Sequence, residues 1–111
     1  MDIFKQQWQR TKDRAKELLV SEGFEVSPSP VKAYDFIARR APLYTRLIKI
    51  TRNKISESDI ESMRKIIPMP NETKEIWCLM EKAKGIKSFK KIEIKDSQII
   101  VIFDPSQKTC Q

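Results

Sequence analysis

Apolar residues recur at helical spacing at the start of the chain. Phe4, Trp8, Ala15, Leu18 and Leu19 are separated by Gln, Lys, Arg and Asp. The spacing predicts an amphipathic helix from about Ile3 to Ser21, stopped by Gly23 at a C-cap position. Phe24-Glu25-Val26-Ser27 then alternates before Pro28 and Pro30 cut it off, which predicts a short strand at a sheet edge. Lys32 to Arg39 reads as a second strand, ending at Arg40-Ala41-Pro42. Leu43 to Thr51 reads as a third, and its near-continuous apolar content suits a central position. After the loop Asn53-Lys54-Ile55, Ser58 with Glu61 three residues on is a capping box for a second helix. Ser56 with Asp59 is a weaker copy of it. Ile60, Met63, Ile66 and Ile67 form that helix's apolar stripe, and Pro68 and Pro70 end it. Thr73 to Glu81 reads as a fourth strand and Lys82 to Lys87 as a basic turn around Gly85. Phe89 to Ile94, Asp96-Ser97 and Gln98 to Phe103 read as a hairpin, and residues 104–111 as a loose tail. The order predicts an α/β fold, a mixed sheet with helices on its faces.

The length, 111 residues, favours a single domain, residues 1–111, with one core. At 40% hydrophobic and 33% charged the composition is that of a globular chain. No apolar run approaches the ~18–20 residues that span a bilayer, and Met1-Asp2-Ile3-Phe4-Lys5 lacks the pattern of a signal peptide. The expectation is a cytoplasmic protein with no membrane partner. Twenty-two Lys and Arg against fifteen Asp and Glu give a net charge of +7. In so small a domain that balance favours a polyanionic partner over a merely solvated surface.

The sequence contains no histidine. That removes Ser-His-Asp, Cys-His and His-metal chemistry. Cys78 and Cys110 have no metal spacing. Cys78 lies in an apolar segment and reads as a small core residue. Cys110 reads as part of the mobile end.

One acid and one base remain as candidate chemistry. Asp35 sits in Tyr34-Asp35-Phe36-Ile37-Ala38, and Lys49 in Leu47-Ile48-Lys49-Ile50. If the two segments pair as a hairpin, the carboxylate and the ammonium can approach across one face. Such a carboxylate could hold Mg²⁺, and such a lysine could position an attacking water and offset phosphate charge. The plainer reading is an Asp that faces water and a Lys that snorkels to the rim and pairs with it.

The order of elements, with Asp at the second strand and Lys on the third, resembles the PD-(D/E)xK nuclease superfamily. The likeness is to its archaeal Holliday-junction-resolvase type. It rests on Arg14-Ala15-Lys16-Glu17-Leu18-Leu19, Glu22-Gly23-Phe24-Glu25-Val26, the two segments above (with Arg46) and the capped helix. The resemblance implies a restriction-endonuclease-like αβββαβ core with a C-terminal hairpin. It also implies a Mg²⁺ cofactor, Asp35 as metal ligand, Lys49 as catalytic lysine, and a homodimer. The motif is degenerate, because Leu47 stands where the family carries an acid and Leu cannot bind a metal. Glu17 on the first helix and Glu57 or Glu61 on the second are the candidates for a relocated acid.

Basic residues form two groups. Arg39, Arg40, Arg46, Lys49, Arg52 and Lys54 crowd the second and third strands and the loop after them. Lys82, Lys84, Lys87, Lys90 and Lys91 crowd the later turn, with Phe89 among them. Such groups neutralise phosphates, and no base-reading motif accompanies them, so backbone contact is expected over sequence readout. Trp8, Trp77 and Phe103 read as core rather than stacking platforms. Three functional classes follow. The first is a DNA-binding protein on a nuclease-like scaffold with weak or no catalysis, favoured because of Leu47. The others are an active Mg²⁺-dependent endonuclease with a relocated acid, and a protein-interaction or dimerisation module.

Overall fold

The computed structural model describes residues 3–41, 44–83, 86–95 and 98–105. The elements in chain order are α1 (Ile3–Ser21), β1 (Glu25–Pro28), β2 (Phe36–Arg40), β3 (Tyr44–Arg52), α2 (Glu57–Arg64), β4 (Glu72–Ala83), β5 (Ile86–Lys95) and β6 (Gln98–Phe103). The fold is α/β, with one six-stranded mixed sheet and two helices. Strand order follows the chain from β1 to β6. Only β3 and β4 run parallel, and the other neighbours are antiparallel. A parallel pair needs a crossover, and α2 supplies it. Leu43, the side chain of Phe4, the turns at Gly85 and Asp96-Ser97, and Ser106 to Gln111 with Cys110 lie outside the described residues. The first two residues of the expected tail are tied down. The Asp104 carboxylate lies 3.6 Å from Lys90 Nζ, and Pro105 is buried.

Alternation along β3 separates two cores. Ile48 and Ile50 face α1 and pack with Ala15, Leu19, Phe24, Ala38, Trp77, Leu79 and Phe89. Lys49 faces α2, whose Met63 packs with Ile76, Ile92 and Ile94. The buried stripe of α1 is Thr11, Ala15 and Leu19, while Trp8 is half-buried and Leu18 is exposed. The expected stripe was therefore out of phase near its end. Thr11 belongs in the buried row because its Oγ1 donates to Gln7 O (2.8 Å), which satisfies the hydroxyl within the helix.

The helix ends as Gly23 predicts. Phe24 N donates to Leu19 O and Gly23 N to Val20 O, each at 3.0 Å, with Gly23 at φ +92°. This is the Schellman closure that favours glycine. The start of α2 differs from expectation. Ser56 is the N-cap: its side chain accepts from Asp59 N, and Asp59 Oδ2 accepts from Ser56 N. Ser58 lies inside the helix, where its carbonyl accepts from Ser62 Oγ. At the other end of α2, Lys74 Nζ reaches across from β4 to Ile66 O (2.8 Å) and Arg64 O (3.3 Å). A cation thus meets carbonyls the helix leaves open.

The second strand begins at Phe36, four residues later than the sequence suggests. Pro28 and Pro30 hand the chain to a turn closed by Ser29, whose Oγ donates to Val31 O and accepts from Val31 N. Phe103, expected in the core, is 47% exposed on β6. No helix among the described residues is long and apolar enough to cross a membrane.

Candidate nucleic-acid interface

Asp35 occupies the bend immediately before β2. Its backbone N–H donates to Ile48 O (2.9 Å), and its Oδ2 accepts from Ile50 N (2.7 Å). The carboxylate thus extends the β2–β3 ladder past the point where β2 ends, satisfying an N–H that would lack a strand partner. Asp35 also borders a groove under α1 with Lys12, Asp13 and Lys16. Lys49 points to the other helix. Its Nζ lies 3.8 Å from Asp59 Oδ1 and 3.4 Å from Ala33 O. Among the described residues no ion pair joins Asp35 to Lys49. Extending the β2–β3 register by one residue sets Asp35 opposite Lys49, with the Asp35 carboxylate engaged by Ile50 N and the Lys49 ammonium facing the capping carboxylate of α2.

Mg²⁺ wants several oxygen ligands, one or two of them carboxylates. Asp35 offers one carboxylate with one oxygen already accepting from Ile50. Leu47, two before Lys49, is buried. Glu17 lies along α1, and Glu61 is on α2, 3.0 Å from Arg64. Among the described residues, no three Asp, Glu or Cys side chains come close enough to hold a metal.

A buried polar network lies elsewhere in the sheet. Arg46 Nε and Nη2 make a forked pair with Glu75 Oε2 (2.7 Å) and Oε1 (2.6 Å). Glu75 also accepts from Thr73 Oγ1 and from Trp77 Nε1, both at 2.9 Å. The Arg46 guanidinium lies over the rings of Phe24 and Trp77, 5.1 and 5.3 Å from their centroids. Burial alone would lower the Arg46 pKa, but the hydrogen bond and charge of Glu75 more than offset it and hold it above its ordinary value. Arg46 is therefore a buried structural cation, turned inward from any surface.

The remaining basic residues are dispersed. Arg39 is exposed on β2, and Lys54 is exposed after β3. Arg40 donates to Glu22 O and lies over Phe24. Lys90 meets Asp104 on the α2 side, and Lys91 sits 4.2 Å from the centre of the Trp77 ring. Burial lowers the Lys91 pKa.

Two of the expected residues, Arg52 and Lys87, do meet. With Arg10 and Arg14 they line an open groove of about 420 Å³ between α1 and the C-terminal end of β3. Arg52 Nη1 donates to Gln7 Oε1 (2.8 Å), and Arg14 Nη2 donates to Lys87 O (3.1 Å), so both guanidinium groups are held in place. Arg52 Nε is buried without a hydrogen-bond partner among the described residues. Asp13 and Glu17 also line the groove, and Asp13 already accepts from Gln9 (2.9 Å). Four cations against two acids leave the groove locally positive. Arg10 and Arg14 were missed by the sequence reading. Their signal was positional: Gln7, Arg10, Arg14 and Glu17 lie three and four apart and form one polar stripe of α1. No family model matches this sequence, and no curated protein matches it.

Proposed function

We propose that this protein binds nucleic acid, DNA in the first instance, through its phosphate backbone and does not cleave it. The observation that carries this reading is the convergence of Arg10, Arg14, Arg52 and Lys87 on one open groove, in a chain of net charge +7. Guanidinium groups fixed by their own hydrogen bonds meet phosphate oxygens with little loss of side-chain freedom. The groove offers charge and no array of base-reading amides, so the contact is to backbone and shape. Three antiparallel strands followed by a helix and a parallel fourth strand are in keeping with a restriction-endonuclease-like scaffold. The non-cleaving part of the proposal rests on Leu47, buried where the family carries an acid, and on the engagement of Asp35 by Ile50 N and of Lys49 by Asp59.

Binding of fluorescent linear and branched DNA across a salt series tests it. Affinity should fall linearly in log-log form as salt rises. Arg14→Ala/Arg52→Ala should bind at least about tenfold more weakly at low salt, the loss expected for two charged phosphate contacts. Binding indifferent to salt and to that double change would reject the interface. Cleavage on addition of Mg²⁺ or Mn²⁺ that disappears in Asp35→Ala would reject the non-catalytic reading.

A further inference from the structure

The two edges of the sheet are built differently. β1 is four residues long, carries Glu25 and ends on Pro28, which has no N–H to offer. Short length, charge and proline are the usual means of blunting an edge. β6 lacks all three, and its one irregularity is a register shift against β5 at Ile102. Its sequence is Gln98-Ile99-Ile100-Val101-Ile102-Phe103, and it is the only helix or strand of the described structure without a charged residue or a proline. All six residues are exposed on an edge that, among the described residues, pairs only with β5. Ile99 to Phe103 remain 40–49% exposed, on both faces of the sheet.

We infer that β6 is the interface of a two-fold dimer, in which β6 pairs antiparallel with β6 of a second copy. An antiparallel strand pair is self-complementary about its two-fold axis, so one open edge suffices to close the assembly. A suitable partner must present an uncharged, extended, apolar strand with a free edge, and a second copy does. Two copies each carrying +7 repel, and β6 is where their contact brings no charged side chain of the strand itself into play. The tail Ser106-Gln107-Lys108-Thr109-Cys110-Gln111 is polar and basic, which suits it poorly as a cover for this strand.

The exposed area limits the pair to a weak, reversible dimer, below the ~1,000 Å² of total buried surface that a stable interface clears. Five large side chains at that exposure leave on the order of 400 Å² per copy, about half of the ~800 Å² per partner of a standard interface. Backbone hydrogen bonds along the edge add to it. So does the groove between β6 and α2, where Ile60 and Ile99 lie beside Glu57, Glu61 and Arg64. Pairing about an axis normal to the sheet gives one continuous twelve-stranded sheet with both α1 helices on the same face. This inference is independent of nucleic-acid binding.

Sedimentation of the full chain over a wide concentration range, without DNA, tests it. The mass should rise from 13.1 kDa to twice that value and stop there. Ile100→Lys/Ile102→Lys should keep its circular dichroism and weaken dimerisation at least about tenfold, from charge placed on both sides of the pair. In a Cys110→Ser background, Ile100→Cys or Val101→Cys near the axis should cross-link rapidly on oxidation, whereas Ser27→Cys on β1 should not. Should the double lysine variant fail to fold, that cross-linking contrast decides alone. A chain that stays at 13.1 kDa, a dimer indifferent to the lysines, open-ended aggregation, or equal cross-linking at β1 and β6 would each overturn the assignment.

Discussion

Glu75 is 1% exposed and accepts hydrogen bonds from three side chains at once, while Arg46 beside it is 8% exposed. Both charges have left water, so neither is dispensable on its own. Glu75→Gln leaves the guanidinium buried without its counter-charge and should destabilise the fold by about 3–5 kcal/mol in urea unfolding. Arg46→Met/Glu75→Leu removes both charges and should recover most of that loss. If the single change costs no more than a surface substitution, the pair does not organise this core. Cys78 sits on the other face of β4, and burial pushes its thiol from an ordinary 9.0 up to about 11. Between those values the unfolded chain has released the proton and the native chain has kept it, so stability falls as pH rises from about 9 to 11. The loss amounts to on the order of 2–3 kcal/mol. Lys91 acts in the opposite sense. Its folded pKa lies below its unfolded value, so stability rises with pH through the window beneath 10.5. Comparing wild type with Cys78→Ala isolates the thiol. The variant should lack the alkaline decline, and equal slopes in the two proteins would mean that Cys78 does not titrate as its burial demands.

At the level of elements, what the sequence reveals depends on whether the deciding interaction is local. The span of α1 was legible because Gly23 carries its own stop signal, and so was the edge position of β1, from two prolines. The central position of β3 followed from Leu47, Ile48 and Ile50. The start of α2 was not legible, since Ser56-x-x-Asp59 and Ser58-x-x-Glu61 are both capping boxes by local rules. What separates them is remote: Lys49 reaches Asp59 from β3, and Ile60 and Met63 must face Ile76 and Ile92. The start of β2 failed for a similar reason. Val31, Tyr34 and Phe36 look extended, yet Ser29 closes a turn and the chain rejoins β3 only at Asp35, through its N–H to Ile48 O and its carboxylate to Ile50 N. The groove was legible only in part. Arg52 and Lys87 lie 35 positions apart, and no local pattern shows that α1 delivers Arg10 and Arg14 to the same place.

For the whole molecule the question is whether charge acts as a field or as a site. A net charge of +7 attracts any polyanion over roughly a Debye length, about 10 Å at 0.1 M salt, wherever on the surface the charges lie. A site adds counterion release from phosphates held at fixed places, which steepens the salt dependence by about 0.9 for each phosphate neutralised on duplex DNA. The two cases separate when equal charge is removed from different places. Arg14→Ala/Arg52→Ala takes two charges from the groove. Lys65→Ala/Lys95→Ala takes two exposed charges from elsewhere, one after α2 and one at the end of β5. Both variants have a net charge of +5, two below +7. If the groove is the site, the first should flatten the salt slope by nearly 2, and the second should leave the slope almost unchanged with an affinity loss of roughly threefold or less. Equal losses in the two variants would mean that the surface as a whole attracts the nucleic acid and that the groove has no particular part in holding it.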